Sequence, residues 1–177
     1  MNFKTNNSEQ IGIKGIEKFT RMCKDRDINY SFASSKQDRI EHWDVLITYP
    51  NGNSYKIEVK GLKRVNRNDN NQQSEWICIE IKGITGYPGW IYGKADYIAF
   101  ETENGFMLIN RVKLVDYVEN TVDILSEPLL SPRENKKLYT LYRRFGRKDK
   151  FIYFKKTDLE DIHNTVWIDY ESKKNSV

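Results

Sequence analysis

Apolar and polar residues alternate through two neighbouring stretches, WDVLITY at 43–49, where Leu46 alone breaks the pattern, and SYKIEVK at 54–60, with PNGN between them. A period of two predicts strands, and the Pro-Asn-Gly cluster predicts the turn that joins them into a hairpin. Upstream the period changes. Ile13, Ile16, Phe19, Thr20 and Cys23 share one arc at about 100° per residue. They predict a helix over NNSEQIGIKGIEKFTRMCKDRD, with Ser8 as N-cap and without a capping box, because Ile11 stands three residues on. Glu17 falls about 40° beyond Ile13, at the edge of the arc and beside the core. INYSF (28–32) reads as a short strand and SSKQDRIEH as a polar connection. GLKRVNRNDNNQQSE (61–75) reads as a long loop, WICIEIK as a strand and IYGKA as a short helix. DYIAFE and GFMLIN read as strands around TENG, and RVKLVDYVENTV as a helix. Residues 133–145 then predict a helix, KFIYF a strand, TDLEDIH a short helix and TVWIDY a last strand.

The hairpin carries chemistry. A loop with an odd number of residues pairs Tyr49 with Tyr55, Ile47 with Ile57 and Val45 with Val59, and gathers these six on one apolar face. The opposite face then sets Asp44 across from Lys60, Leu46 across from Glu58 and Thr48 across from Lys56. A two-residue loop would mix Glu58 and Lys60 with the apolar set, so the pattern selects the odd loop. Asp44, Glu58 and Lys60 meet at the open end. Two carboxylates this close repel unless something positive lies between them. A hard divalent cation such as Mg²⁺, which takes oxygen ligands and keeps several waters, meets that need. It would activate a bound water and shield a phosphodiester, with Lys60 stabilising developing charge.

Asp44, thirteen intervening residues and then Glu58-Val59-Lys60 resemble the PD-(D/E)xK, or restriction-endonuclease-like, nuclease superfamily. The order of elements from Ser8 to Phe100 is similar too: an acid-bearing helix, a strand, the D/ExK hairpin, then further strands. Trp43 stands where the motif name has proline, a variable position. The resemblance implies an α/β fold with a mixed central sheet flanked by helices. It implies a Mg²⁺-dependent DNA endonuclease of small resolvase or phage type, with Mn²⁺ able to substitute. Asp44 and Glu58 become metal ligands, the Val59 carbonyl a third, Lys60 the catalytic lysine, and Glu17 the acidic helix position of some members. A second stretch, CIEIKG at 78–83, echoes KIEVKG, but its nearby upstream acid, Asp69, lies in a polar loop. Glu80 and Lys82 are therefore expected at a solvated or groove-facing strand edge, with Glu80 bordering the site at most.

Charge sharpens the expectation. The 177 residues carry a net +4, while Arg133 to Lys156 alone holds ten Lys or Arg against two acids, with Tyr139, Tyr142 and Phe145 interleaved. A one-sided basic run beside a nuclease-like site predicts a phosphate-contacting surface. The candidate DNA contacts are Arg143, Arg144, Arg147 and Lys148, the basic loop start at Lys63, Arg64 and Arg67, and Lys94. Cys23 and Cys78 form no metal cluster and fit free thiols in a reducing compartment. The polar start and the lack of a long apolar run lead us to expect a cytoplasmic protein, nucleoid-associated or in host cytoplasm if viral, with no membrane partner. No glycine-rich phosphate loop is present, so no nucleotide cofactor is expected. The whole chain, 1–177, is expected to form a single nuclease domain, with a catalytic core at 8–110 and a helical, basic extension at 111–177. Double-strand cutting would favour a homodimer. The rival reading is a catalytically inactive nucleic-acid-binding or interaction module on the same fold.

Overall fold

The structure, a computed structural model, describes residues 7–66, 69, 71–162 and 165–168. The chain is mixed α/β. Helix α1 (Asn7–Lys24) leads to strands β1 (Asn29–Phe32), β2 (Val45–Thr48), β3 (Ser54–Lys60) and β4 (Trp76–Lys82). Next come β5 (Tyr97–Thr102), β6 (Gly105–Asn110), α2 (Arg111–Thr121), β7 (Leu129–Leu130) and β8 (Tyr142–Arg143). The described chain closes with β9 (Lys150–Lys155), α3 (Lys156–Glu160) and β10 (Thr165–Ile168). Where the sequence predicts one central sheet flanked by helices, there are two. The first runs β1-β2-β3-β5-β6-β10 and the second β4-β9-β8-β7. β3 and β5 pair in parallel, so the chain must cross over between them. The crossover carries β4 out of the first sheet to found the second.

Two cores follow. On one face of the first sheet, Val45, Ile47, Ile57, Val59, Ala99, Phe106 and Leu108 pack against Phe19, Met22 and Cys23 of α1. Phe19 is fully buried, stacked on Trp167 at 5.0 Å and edge-on to Phe106 at 5.2 Å. On the other face, Ile98, Phe100, Met107 and Ile109 meet Ile77, Ile79 and Ile81 of β4, Ile152 and Phe154 of β9, and Leu114 and Val118 of α2. The second sheet thus takes the place of a second helical layer.

The segment 133–145 is not a helix. Leu138, Leu141, Tyr142 and Phe145 have helical spacing, but Asn135 and Tyr139 adopt positive φ of 57° and 55°. The backbone is recruited by neighbouring strands instead. Tyr139 N–H donates to the Tyr153 carbonyl at 2.9 Å, and Leu129 and Ser131 donate to Leu141 and Arg143 at 2.9 and 2.8 Å. Tertiary pairing overrides a weak local preference. Beyond α2 and the short α3, the described part of the expected helical extension is therefore strand and turn. The polar connection 34–42 likewise contains a π-helical turn over Gln37–Glu41, and the expected IYGKA helix is a single 3-10 turn over Trp90–Tyr92. Among the described residues no helix is long and apolar enough to cross a membrane.

Candidate active site

The hairpin loop is odd, as the apolar pattern requires, but its register differs by two residues from the expectation. Val45 pairs with Ile57, Ile47 with Tyr55 and Thr48 with Ser54. The loop is 49–53, closed by Tyr49 N–H donating to the Asn53 carbonyl at 2.9 Å. A shift of two preserves faces, so all six apolar residues still line the α1 core. It moves Asp44 from opposite Lys60 to beside Glu58, because Asp44 N–H donates to the Ile57 carbonyl at 2.8 Å.

The Asp44 side chain then extends the ladder just ahead of the first residue of β2, its Oδ2 accepting the Val59 N–H at 2.7 Å. A strand residue's N–H and C=O leave on the same edge, so the Val59 carbonyl emerges on the edge that Asp44 occupies. Glu58 is 5% exposed, facing the core between the sheets in the layer of Ile98 and Phe100. Its Oε1 accepts a hydrogen bond from the Lys60 ammonium, and its Oε2 is buried with no partner. Burial, then the Glu58 charge, pushes the Asp44 carboxyl up to about 7, against the Val59 N–H and Lys60. Burial acts to lower the Lys60 pKa, but the Glu58 charge and hydrogen bond, with Asp44 and Glu80, outweigh it and hold the ammonium protonated. Lys60 also lies 4.8 Å from the Trp90 ring centroid, a cation-π contact. Trp90 lies in the core between the sheets. It is buried and also forms a platform for the lysine.

Gly61, just after the strand, is glycine for a steric reason. A Cβ there would lie 2.9 Å from the Ile11 carbonyl oxygen, and one on Gly15 would lie 3.1 Å from the Gly61 Cα. The helix crosses the end of β3 backbone to backbone, which fixes where Lys60 stands.

Glu17 does not join this group. The buried arc of α1 is centred on Phe19, with Met22 and Cys23, and Ile13 is 48% exposed. Glu17 lies about 160° around the helix from Phe19. It is exposed, and α1 covers the sheet face opposite Glu58. Glu80 does come close, although its strand belongs to the second sheet. Burial raises its carboxyl, while Lys60, Lys63 and Arg144 pull it down. A register irregularity between Glu80 and Lys82 marks a bulge beside it, a device that re-aims a side chain.

The candidate DNA contacts divide. Lys63 is exposed as a residue, and partial desolvation of its ammonium by the surrounding protein, then the Lys60 charge, lowers its pKa. Arg64 is exposed and donates to the Asp69 carbonyl at 3.3 Å. Arg67 lies outside the described residues. Lys94 is exposed but paired with Glu41 at 3.2 Å. Arg143 is half-buried, and its Nε is buried without a partner. Arg144 lies 2.9 Å from the buried Asp149 carboxylate and over the Phe151 ring at 5.1 Å. Arg147 and Lys148 are exposed, and no ion pair among the described residues engages them.

Among the described residues no three His, Cys, Asp or Glu side chains gather into a cation site of their own. The pair at Asp44 and Glu58 nevertheless fits a hard cation that keeps waters. It offers one buried carboxylate oxygen without a partner, and a second carboxyl whose ionisation is disfavoured while nothing positive joins it.

A stability signature follows. Asp44 rises from 3.8 to about 7, so between those values the folded state binds the extra proton. Stability should therefore fall as pH rises through this window, by an amount on the order of a few kcal/mol. Thermal melts in EDTA at pH 5 and pH 8 should show that fall, and Asp44→Asn should reduce it. Mg²⁺ should restore stability at pH 8 and do little at pH 5, where the carboxyl holds its proton. A pH dependence unchanged in Asp44→Asn would remove Asp44 as its source.

No family model, no curated protein and no solved structure matches the chain.

Proposed function

We propose that the protein is a metal-dependent DNA endonuclease whose catalytic centre is Asp44, Glu58 and Lys60, on a fold of the restriction-endonuclease-like kind. The observation that carries this reading is the buried, partnerless Glu58 Oε2, held beside Asp44 and next to a lysine whose own charge Glu58 already answers. Burying such an oxygen unpaired is costly, and a cation shared with Asp44 would relieve it.

Asp44 and Glu58 would hold Mg²⁺ or Mn²⁺, with the Val59 carbonyl and water completing the shell. The bound ion would supply Lewis-acid activation of water and shielding of the scissile phosphate. Lys60 stays protonated, so it does not act as the base. It places a positive charge where negative charge develops on the phosphorane. Trp90 beneath it and Glu58 beside it restrict its motion. Glu17, exposed behind the sheet, has no part in the reaction, and Glu80 borders the lysine.

Lys63, Arg147 and Lys148 are the cations best placed to meet phosphates, because they are exposed and form no ion pair among the described residues; Glu80 acts on Lys63 without pairing with it. Replacing all three with Ser should weaken binding to DNA of any sequence. It should reduce the slope of log K against log salt by up to about 0.9 per lost phosphate contact. Binding would be measured in Ca²⁺, and an unchanged slope would show that these residues form only a solvated face. A paired assembly would place two such centres on opposite strands.

Titration of Mn²⁺ into the protein tests the reading against its rivals. One ion should bind at pH 8, and Asp44→Asn and Glu58→Gln should each abolish binding. A protein that binds no divalent cation would be an inactive nucleic-acid-binding or interaction module.

A further inference from the structure

Two tight turns meet beyond the active site. In the first, Gly86 N–H donates to the Gly83 carbonyl at 2.9 Å and Gly83 N–H to the Tyr87 carbonyl at 2.8 Å. In the second, Arg147 N–H donates to the Arg144 carbonyl at 3.1 Å, and Gly146 takes the positive φ of 68° that this turn needs at its third position. Lys148 N–H reaches the Ile84 carbonyl at 3.4 Å and joins the two. Below them Asp149, 1% exposed, accepts the Arg144 N–H at 3.0 Å and answers its guanidinium. The result is a braced tip that presents Phe145, 89% exposed, and Tyr87, 75% exposed. Residues 83–88 and 144–148 include Arg144, Arg147 and Lys148 and no acid.

We infer that this tip is a stacking element for unpaired DNA bases, with Phe145 and Tyr87 taking bases and Arg147 and Lys148 the neighbouring phosphates. The inference rests on the nuclease reading and names the substrate class, DNA containing a single-stranded segment. Aromatic faces set among cations match the two components of single-strand binding, stacking and backbone attraction. An intact duplex keeps its base faces stacked, so two exposed rings gain little from it. The tip is also continuous with the catalytic centre. A Cβ on Gly83 would lie 3.8 Å from Glu80 Oε1 and one on Gly86 3.2 Å from Lys148 Cδ, so the first turn spans from the acid that borders Lys60 to the second turn. A DNA strand that passes Lys63 would lead from the scissile position to Arg147, Lys148 and the rings. That continuity favours nucleic acid over the other anionic surface such a tip suits, a lipid headgroup layer.

The test is binding in EDTA, where no cleavage occurs, to a mixed-sequence single-stranded deoxyoligonucleotide carrying 2-aminopurine and to its blunt duplex. The single strand should bind more tightly, with a fluorescence change that reports stacking. The double variant Phe145→Ala, Tyr87→Ala should lose about tenfold or more in single-strand affinity. Its duplex affinity and melting temperature should be unchanged, and Phe145→Trp should retain single-strand binding. Equal losses on both DNAs, no loss on either, or a loss confined to binding of anionic phospholipid vesicles would each overturn the assignment. Cleavage by the parent protein in Mg²⁺ separates the two readings: a protein that cuts DNA but shows no single-strand loss in the double variant overturns the tip alone.

Discussion

Glu58→Gln is expected to abolish DNA cleavage, a loss on the order of a thousandfold or more, because several kcal/mol of metal-borne stabilisation depart with the ion. The fold should survive. Gln has nearly the same volume and removes a buried carboxylate oxygen that now lacks a partner. Lys60 loses its answering charge, but its side chain is 21% exposed and can turn towards water. Asp44→Asn should behave alike. Its amide oxygen can still accept the Val59 N–H that closes the ladder, and removal of the carboxylate repulsion should raise metal-free stability at pH 8. Near-parental cleavage in Mg²⁺ by either variant, checked for folding by circular dichroism, would remove the assignment.

Lys60→Ala should lower the cleavage rate by about two or more orders of magnitude, the scale of losing one well-placed electrostatic stabiliser. Lys60→Met, which keeps an apolar stem over Trp90, should be equally slow and would show that the charge matters and not the packing. Metal binding should persist in both. Lys82→Ala, in the second ExK stretch, should change the rate little. Lys82 belongs to the second sheet, paired opposite Lys150 and packed towards Gly86. Single-turnover rates with excess protein would separate these effects from binding. A large effect at Lys82 with none at Lys60 would transfer the centre to Glu80.

The site was legible in the sequence to the extent that face alternation determines it. Alternation in 43–49, interrupted only at Leu46, and in 54–60 put Asp44, Glu58 and Lys60 on one face whichever odd loop forms. Exact register depended on which backbone groups close a five-residue loop, and local pattern is blind to that. The helix around Glu17 was legible, but its rotation was not. Gly15 and Gly61 let α1 approach β3 backbone to backbone, and this turns Met22 inward and Ile13 outward. The second sheet was hidden for a different reason. Leu138, Leu141 and Tyr142 fit a helix locally, and only long-range partners on β7 and β9 make that stretch strand and turn. The same long-range pairing brings Glu80 towards Lys60, and Arg144 towards Glu80, from distant parts of the chain.

The measurement that bears most directly on the central claim is incubation of the purified protein with linear, circular, single-stranded and branched DNAs, each in Mg²⁺, in Mn²⁺ and in EDTA. The account predicts divalent-dependent breakage of at least one of these substrates, including internal cuts, with none in EDTA. Intact DNA under every metal condition, from a folded protein, would contradict it.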